Sequence, residues 1–440
     1  MTYIHTSSYS VEIRDLHKAL KRTIDIYRSA VNYLLTPVLD HWDDVEKING
    51  SNQKMNFVET LIHTTKNHLA LYDFDEQYYK FPSYLRRTAI VAAIGAVSSY
   101  QTNHKNWIDN GCAGAEPKVS MDHHICPALY RGDMFKVGKD GSFLIKLRQN
   151  NDWVWLKPRL RKTDLNYLNR RTDRVDKVYS PVIEKRKQGK YFLRFVMTEK
   201  VELSDQPIFE RKVCAVDLGV NTDATCSVID VHGTVLARKF ILCSREKDSV
   251  HRALHRVSVF QRLHGSHDSG RLWNVAKRRN LNLAHMVAHN IVSFAREHGC
   301  DVIVFEHLDT RGKKRGSRKQ RLQMWKHRDI QRTAESLAHR YGIRISRVCA
   351  WNTSKLAYDG SGTVKRGKAV SDTTPYDVCL FQTGKKYNCD LSGSYNIGAR
   401  YYIRELIKEI PGITAEVPDI GSGTRRVLAD LWRINNAVCL

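Results

Sequence analysis

Three carboxylates interrupt sequence that is otherwise apolar or helical. Asp217 closes the run Ala215-Val216-Asp217-Leu218-Gly219, and Glu306 follows Val302-Ile303-Val304-Phe305 directly. Asp390 stands just ahead of a helical pattern over residues 394–409. A charge at the end of a buried strand is costly unless it is solvated, paired or bound to a cation. Three such acids meeting at one point suit phosphodiester hydrolysis, where two divalent ions roughly 3.5–4 Å apart activate a water and stabilise the leaving oxygen. Mg2+ is a hard ion that prefers carboxylate oxygens and keeps waters, so no His or Cys is required. Two Mg2+ ions, with Mn2+ as a substitute, are the expected cofactors. Taken alone, Asp217 could be a turn residue and Asp390 a helix N-cap. Glu306 has no such excuse, because four apolar residues lead into it. Together the three are expected to be catalytic and metal-binding. Asp223 and Asp230 read as turn acids, and Asp309 lies past the strand end.

These acids need elements to hold them. Residues 213–218 read as a buried strand, and 224–229 and 234–242 continue it as a meander around His232-Gly233. Helical patterns follow over 248–263 and 273–298. Then come the buried strand 302–305, a helix over 326–341, a strand over 343–348 and the helix over 394–409. This order is that of a ribonuclease H-like (RuvC-type) α/β fold, in which the two acid-bearing strands lie side by side. The nuclease domain is therefore placed at 211–348 and 386–410, with an insert at 349–385 and a C-terminal tail at 411–440. Ahead of it, residues 3–13 read as one strand. Leu16, Leu20, Ile24, Tyr27, Val31 and Leu34 form one apolar helical stripe within a helical region, 15–110. Residues 111–205 look β-rich, with a hairpin turn at Gln188-Gly189-Lys190. The whole is a multi-domain α+β chain.

Lys and Arg number 71 against 46 Asp and Glu, a net charge of +25. That excess calls for a polyanionic partner. A membrane is the poorer choice: residues 1–10 lack an apolar signal core, and the most apolar stretch, 88–97, is too short to span a bilayer. The ten cysteines lie far apart and fit a reducing cytoplasm without disulfides. Arg311, Lys313, Lys314, Arg315, Arg318, Lys319 and Arg321 form a dense basic run directly after the Glu306 strand. It is expected to wall a channel for single-stranded substrate. Arg271, Lys277, Arg278 and Arg279 form a second run of nucleic-acid contacts. Lys157, Arg159, Arg161, Lys162, Tyr167, Arg170 and Arg171 mix cations with an aromatic, as phosphate contact plus base stacking requires. For all of these the plainer alternative is a solvated face.

The segments Ala215-Val216-Asp217-Leu218-Gly219-Val220, Val304-Phe305-Glu306-His307-Leu308 and Cys389-Asp390-Leu391-Ser392-Gly393-Ser394-Tyr395-Asn396-Ile397 resemble the three RuvC motifs of the TnpB family. TnpB proteins are transposon-encoded RNA-guided endonucleases related to the type V CRISPR effectors. Asn352-Thr353-Ser354-Lys355 resembles a further segment of that family. The resemblance covers most of residues 180–400. By layout alone it extends to the N-terminal half, where 1–14 and 111–205 would be a β-barrel-like wedge domain and 15–110 its helical recognition insertion. It implies a guide RNA from the transposon end, a double-stranded DNA target and a short flanking motif. It also implies a cytoplasmic, nucleoid-associated protein of a bacterium or archaeon. Many relatives carry a four-cysteine zinc knuckle between the second and third acids. Here Cys349, Cys379 and Cys389 remain without a Cys-x-x-Cys pair, so zinc is not expected and the insert should be held by packing. Cys112 with His123, His124 and Cys126 is a weaker zinc candidate that reads as polar loop. Three alternatives stay open: a compact type V CRISPR effector, a nuclease-silent guide-directed repressor, and a strand-transfer transposase. The repressor is disfavoured because all three acids are present, and the transposase because no separate end-recognition domain is visible.

Overall fold

The computed structural model describes residues 2–121, 123–138, 142–172, 175–186, 189–265, 268–308, 319–410, 412 and 423–438. Two compact units divide the chain: Thr6–Glu199, and Met1–His5 with Lys200–Leu440.

The N-terminal unit opens on strand β1 (Thr2–Ile13) and helices α1 (His17–Asp40), α2 (Trp42–Lys47), α3 (Ser51–Ile62), α4 (Phe74–Gln77) and α5 (Ser83–Asp109). The predicted stripe is the buried face of α1, through Leu20, Ile24, Tyr27, Val31 and Leu34. It packs on α5, whose buried Ala89 and Ala93 let the two helices approach closely. Leu16 packs against the same core from just ahead of the helix, as the N-cap residue, with a positive φ of 59°. The chain then forms β2 (Phe135–Val137), β3 (Phe143–Gln149), β4 (Asp152–Leu156), α6 (Lys162–Thr172), β5 (Lys177–Val178), β6 (Val182–Lys185) and β7 (Tyr191–Glu202). The predicted hairpin is the antiparallel pair β6–β7.

Two expectations need correction here. The strands do not close into a barrel. They form two open sheets, one ordered β1-β7-β5 with β6 also on β7, the other β2-β3-β4. Isolated bridges such as Ala128↔Val182 join their flanks, the sheets meet through side chains, with Phe135 and Phe143 packed on Phe195, and α1 packs against β3. The second correction is α6, a helix inside the segment read as β-rich. Leu168 is its only buried residue, so it shows almost no apolar stripe from which a helix could be read.

In the C-terminal unit, β8 (Val213–Asp217), β9 (Ala224–Ile229) and β10 (Val235–Ile241) form the meander. Helices α7 (Ser244–His264) and α8 (Gly270–Glu297) lead to β11 (Val302–His307). After α9 (Lys319–Met324) and α10 (His327–Arg340) comes β12 (Arg344–Cys349). The sheet order is β10-β9-β8-β11-β12. β9 is antiparallel to both β8 and β10, whereas β11 runs parallel to β8 and β12 parallel to β11. Both faces of β8 and β11 are covered, which is why these strands are unbroken apolar runs. On one face Cys214, Val216, Ile303 and Phe305 pack with residues of α8 and α10.

On the other face Val213, Ala215, Val302 and Val304 meet α11 (Cys389–Glu409) and α12 (Leu428–Val438). Gly398 permits that approach: a Cβ there would stand 2.6 Å from Ile229 Cδ1. Between β12 and α11 lies a small sheet of β13 (Lys365–Arg366), β14 (Val378–Leu380) and β15 (Lys386–Asn388). Ala357, Cys379, Phe381 and Cys389 form its core, flanked by Tyr358, Val364 and Tyr387. Among the described residues no helix is long and apolar enough to cross a membrane.

Candidate active site

Strand alternation decides where two of the acids point. Asp217 has the parity of Val213 and Ala215, and Glu306 that of Val302 and Val304, so both face α11. The parallel register pairs Val216 with Phe305; one step further sets Glu306 beside Asp217. Asp390 comes from α11 itself. The N-cap is Asn388, whose Oδ1 accepts from the backbone N–H of Asp390 and of Leu391, each at 3.0 Å. Asp390 therefore lies inside the first turn, and the cap role open to it in sequence belongs to Asn388.

Two of the acids act on the third. Asp217 is 8% exposed and Glu306 7%. Burial pushes the Asp217 carboxyl well above the usual carboxylate range, and the charges of Glu306 and Asp390 push it further. Burial also raises Glu306, against a hydrogen bond from Thr353 and the charge of Arg400. Asp390 is raised by burial and eased by Thr222 and Arg366. Among the described residues no three His, Cys, Asp or Glu side chains are drawn together tightly enough to hold one ion. Glu306 is instead tied to the Thr353 hydroxyl, and Asp217 accepts from Ser354.

The supporting groups were not assigned from sequence. Thr353 and Ser354 sit on the loop after β12, and α11 holds that loop. Asn396 Nδ2 donates to the carbonyls of Thr353 at 2.9 Å and Leu356 at 3.0 Å. Arg400, 3% exposed, donates to Cys349 O at 2.7 Å and Trp351 O at 2.8 Å. Arg366, at the end of β13, donates to Ser354 O and lowers the carboxyls of Asp217 and Asp390. Gly393 is an absence with a purpose: a Cβ there would stand 2.5 Å from Asp217 Oδ2. The available signal was a glycine early in a strong helix, which local propensity disfavours. Arg366 carried no signal, since a lone cation in an insert looks like surface. A cavity of about 220 Å³ opens on Asp390, Arg366, Thr222 and Tyr376.

Asp223 is more than a turn acid: it is buried, accepts from Cys243 N–H at 2.9 Å and pairs with Lys247 at 3.0 Å. Asp230 is the expected turn acid, accepting from Thr234 N–H at 2.8 Å. Of the basic residues, Arg271, Lys277 and Arg278 are exposed on α8 and Arg279 is half-buried. Arg278 and Arg279 line a groove with Arg245 and Arg252 of α7. Arg311, Lys313, Lys314, Arg315 and Arg318, like Asp309, lie outside the described residues, as do the side chains of Lys319 and Arg321 on α9.

The site is thus two buried carboxylates and a half-buried third, with Asp217 repelled by the other two, on one face of a five-stranded mixed sheet. Comparison with known proteins adds a relative: the TnpB-like protein ORF457 of Acidianus two-tailed virus is 27% identical over 197 residues. That match covers 42% of this chain and 41% of the viral protein, so it spans about two fifths of the relative's length. The resemblance to the TnpB family is therefore met in sequence. The Aq_aa04 family model matches residues 6–149. Among solved structures, the Cas12f1–sgRNA–target DNA complex is 14% identical, with 89% of this chain and 98% of that chain covered and a TM-score of 0.36. CasPhi-2 (Cas12j) bound to crRNA is 9% identical, with 91% and 98% covered and a TM-score of 0.44. C2c1 of Alicyclobacillus acidoterrestris with single-guide RNA is 10% identical, with 88% and 69% covered and a TM-score of 0.40.

Proposed function

We propose that this chain is an RNA-guided DNA endonuclease of a mobile element, with a ribonuclease H-like, RuvC-type module in its C-terminal unit. One observation carries the reading: Asp217 and Glu306 face the same way from adjacent parallel strands, toward the helix that bears Asp390. The meander followed by two parallel strands supports the fold assignment.

A divalent cation fits this donor set. Three carboxylates are raised by burial, Asp217 also by the other two, and the nearby cations are Arg366 and Arg400. Arg400 is already committed to backbone carbonyls. Asp217, Glu306 and Asp390 would hold the metal, two Mg2+ ions or Mn2+ in their place. When bound, such ions supply an activated water and stabilise the leaving oxygen. The chain's own residues do the rest. Thr353 and Ser354 orient Glu306 and Asp217, Arg366 offsets part of the negative charge, and Arg278 and Arg279 with their α7 neighbours bind phosphates. The partners in this reading are a guide RNA from the transposon end and a double-stranded DNA target with a short flanking motif. The setting is the cytoplasm near the nucleoid. The insert is proposed to need no zinc, because Ala357, Cys379, Phe381 and Cys389 already fill its centre. One tightly held zinc per chain, surviving removal of Mg2+, would refute that part.

The test is expression with flanking DNA, sequencing of any co-purified RNA, and plasmid cleavage with Mg2+. The wild type should cut, and Asp217→Ala should lose cutting while keeping RNA. RNA and target binding without cutting would instead favour the silent repressor. A CRISPR effector differs only in genomic neighbourhood.

A further inference from the structure

Two cavities flank the turn after β8, and Gly219 and Val220 line both. One opens on Asp390 and Arg366. The other, about 520 Å³, lies among α7, α8 and the start of α10, with Leu254, Leu283, Val287 and Trp325 in its walls. Its cations are already paired. Lys247 sits 3.0 Å from Asp223 and donates to Asn221 O at 2.5 Å, and Lys326 sits 3.0 Å from Asp329. A phosphate would therefore find little free charge there, whereas an uncharged flat group would find apolar walls. Trp325 supplies an aromatic face. Its Nε1 is buried with no acceptor among the described residues, and a buried donor left unmatched is costly. Asn280 fixes the chain entering that tryptophan by donating to Met324 O at 2.6 Å. The opposite side of the same helix pair carries the cationic groove of Arg245, Arg252, Arg278 and Arg279. The hairpin of α7 and α8 thus offers charge on one side and an apolar cavity, next to the acids, on the other.

We infer that the 520 Å³ cavity receives one nucleobase of the DNA strand being cut, turned out of its stack and laid against Trp325 beside the scissile phosphate. The inference rests on the nuclease reading above. An exposed base brings a flat apolar ring to lay against the indole, which already has the His327 ring 4.9 Å from it. The shared Gly219-Val220 wall makes the base pocket and the acid-site cavity neighbours, as consecutive parts of one strand require.

The test uses full-length protein in EDTA at low salt and a short single-stranded DNA carrying one central 2-aminopurine. Anisotropy reports binding, and 2-aminopurine emission reports stacking. The wild type should quench the probe. Trp325→Phe should keep most of the quenching, and Trp325→Ala should lose it and bind roughly ten-fold more weakly. An abasic nucleotide in place of the probe should weaken the wild type similarly and Trp325→Ala no further. Leu254→Trp, which fills the cavity and spares Trp325, should also lose quenching while unfolding cooperatively, which guards against misfolding of the first variant. Equal quenching in wild type and Trp325→Ala would overturn the pocket, and so would bound but unquenched probe. Mg2+-dependent plasmid cleavage by RNA-loaded wild type is scored separately. Cleavage without Trp325-dependent quenching removes the pocket and leaves the nuclease; neither cleavage nor DNA binding removes both.

Discussion

Both units bury charge, and one cluster in each does so in an opposite way. In the N-terminal unit Arg86 is 5% exposed and held between two acids, Glu59 at 3.0 Å and Asp75 at 3.3 Å. Arg87 adds a second contact to Glu59 at 2.9 Å. Elsewhere in that unit Glu12 faces Arg161 and Lys190. In the C-terminal unit Asp217 and Glu306 are as buried, yet the charge next to Asp217 is of its own sign. Burial alone therefore does not mark a site; the sign of the neighbour does. A buried pair is a structural joint, costly mainly when one partner is removed. A buried group of like charges costs stability as it stands, and such groups gather where perturbed acids have work to do.

The comparison is easiest to break at its strongest point. Glu306→Gln should lower DNA cleavage by about 10³-fold or more, because it removes one of three carboxylates from the proposed metal site. The same change should leave the urea midpoint equal to the wild type or higher, since it removes a repelled buried charge. Cleavage at the wild-type rate would sink the assignment. Arg86→Met should do the reverse. It removes the cation shared by Glu59 and Asp75, leaving Glu59 to Arg87 and Asp75 to His63, and should cost about 1–3 kcal/mol of stability by urea unfolding, with the folded fraction still cutting. A neutral Arg86→Met would mean that the N-terminal pairs are not joints at all.

Gly393→Ala falls between these. The new methyl would press on Asp217 Oδ2, 2.5 Å away. A displacement of that kind should slow cleavage by roughly 10–100-fold and cost about 1–3 kcal/mol in overpacking. Steady-state rates beside thermal unfolding would separate the two effects. Loss of stability with unchanged rate would remove Gly393 from the site and leave it a packing residue.

How much of this was legible in sequence follows from the same contrast. The acid strands could be read because a carboxylate directly after Val302-Ile303-Val304-Phe305 conflicts with its local pattern. Their convergence on α11 follows from strand parity, which local alternation encodes, and from strand order, which was read from the expected ribonuclease H-like layout. Thr353 and Ser354 were singled out by motif but given no role, because their hydrogen bonds to Glu306 and Asp217 depend on Asn396 and Arg400 gripping the loop from α11. Arg366 could not be read, since only the β13-β14-β15 sheet brings it to the acids. In the N-terminal unit the α1 stripe was plain, but sheet closure was not. Whether strands form a barrel or two open sheets depends on which edges meet, and alternating residues do not encode that. Helix α6 was hidden because its one buried side chain, Leu168, leaves no period to count.

The smallest expected effect is also the most direct reading of charge sign, and it comes from pH without divalent cations. Asp217, Glu306 and Asp390 are all raised above their ordinary values of 3.8, 4.5 and 3.8. A carboxyl raised in the folded state keeps its proton after the unfolded chain has lost it. Its contribution to stability is full below the ordinary value and is lost as pH rises through the folded one. Glu184 of the N-terminal unit runs the other way. The Arg186 hydrogen bond lowers its carboxyl, so its contribution is present above 4.5 and lost as pH falls. The wild type should therefore lose stability as pH climbs from the ordinary carboxyl range toward neutrality. Asp217→Asn, which cannot ionise there, should lose less, a difference on the order of 1 kcal/mol. Urea unfolding at a series of pH values measures both curves. Parallel curves would mean that the acids do not oppose one another in the folded chain, and the contrast between the two units would fall with them. Adding Mg2+ sharpens the outcome: an ion held by the charged forms should raise wild-type stability most at the higher pH, and should do so less for Asp217→Asn.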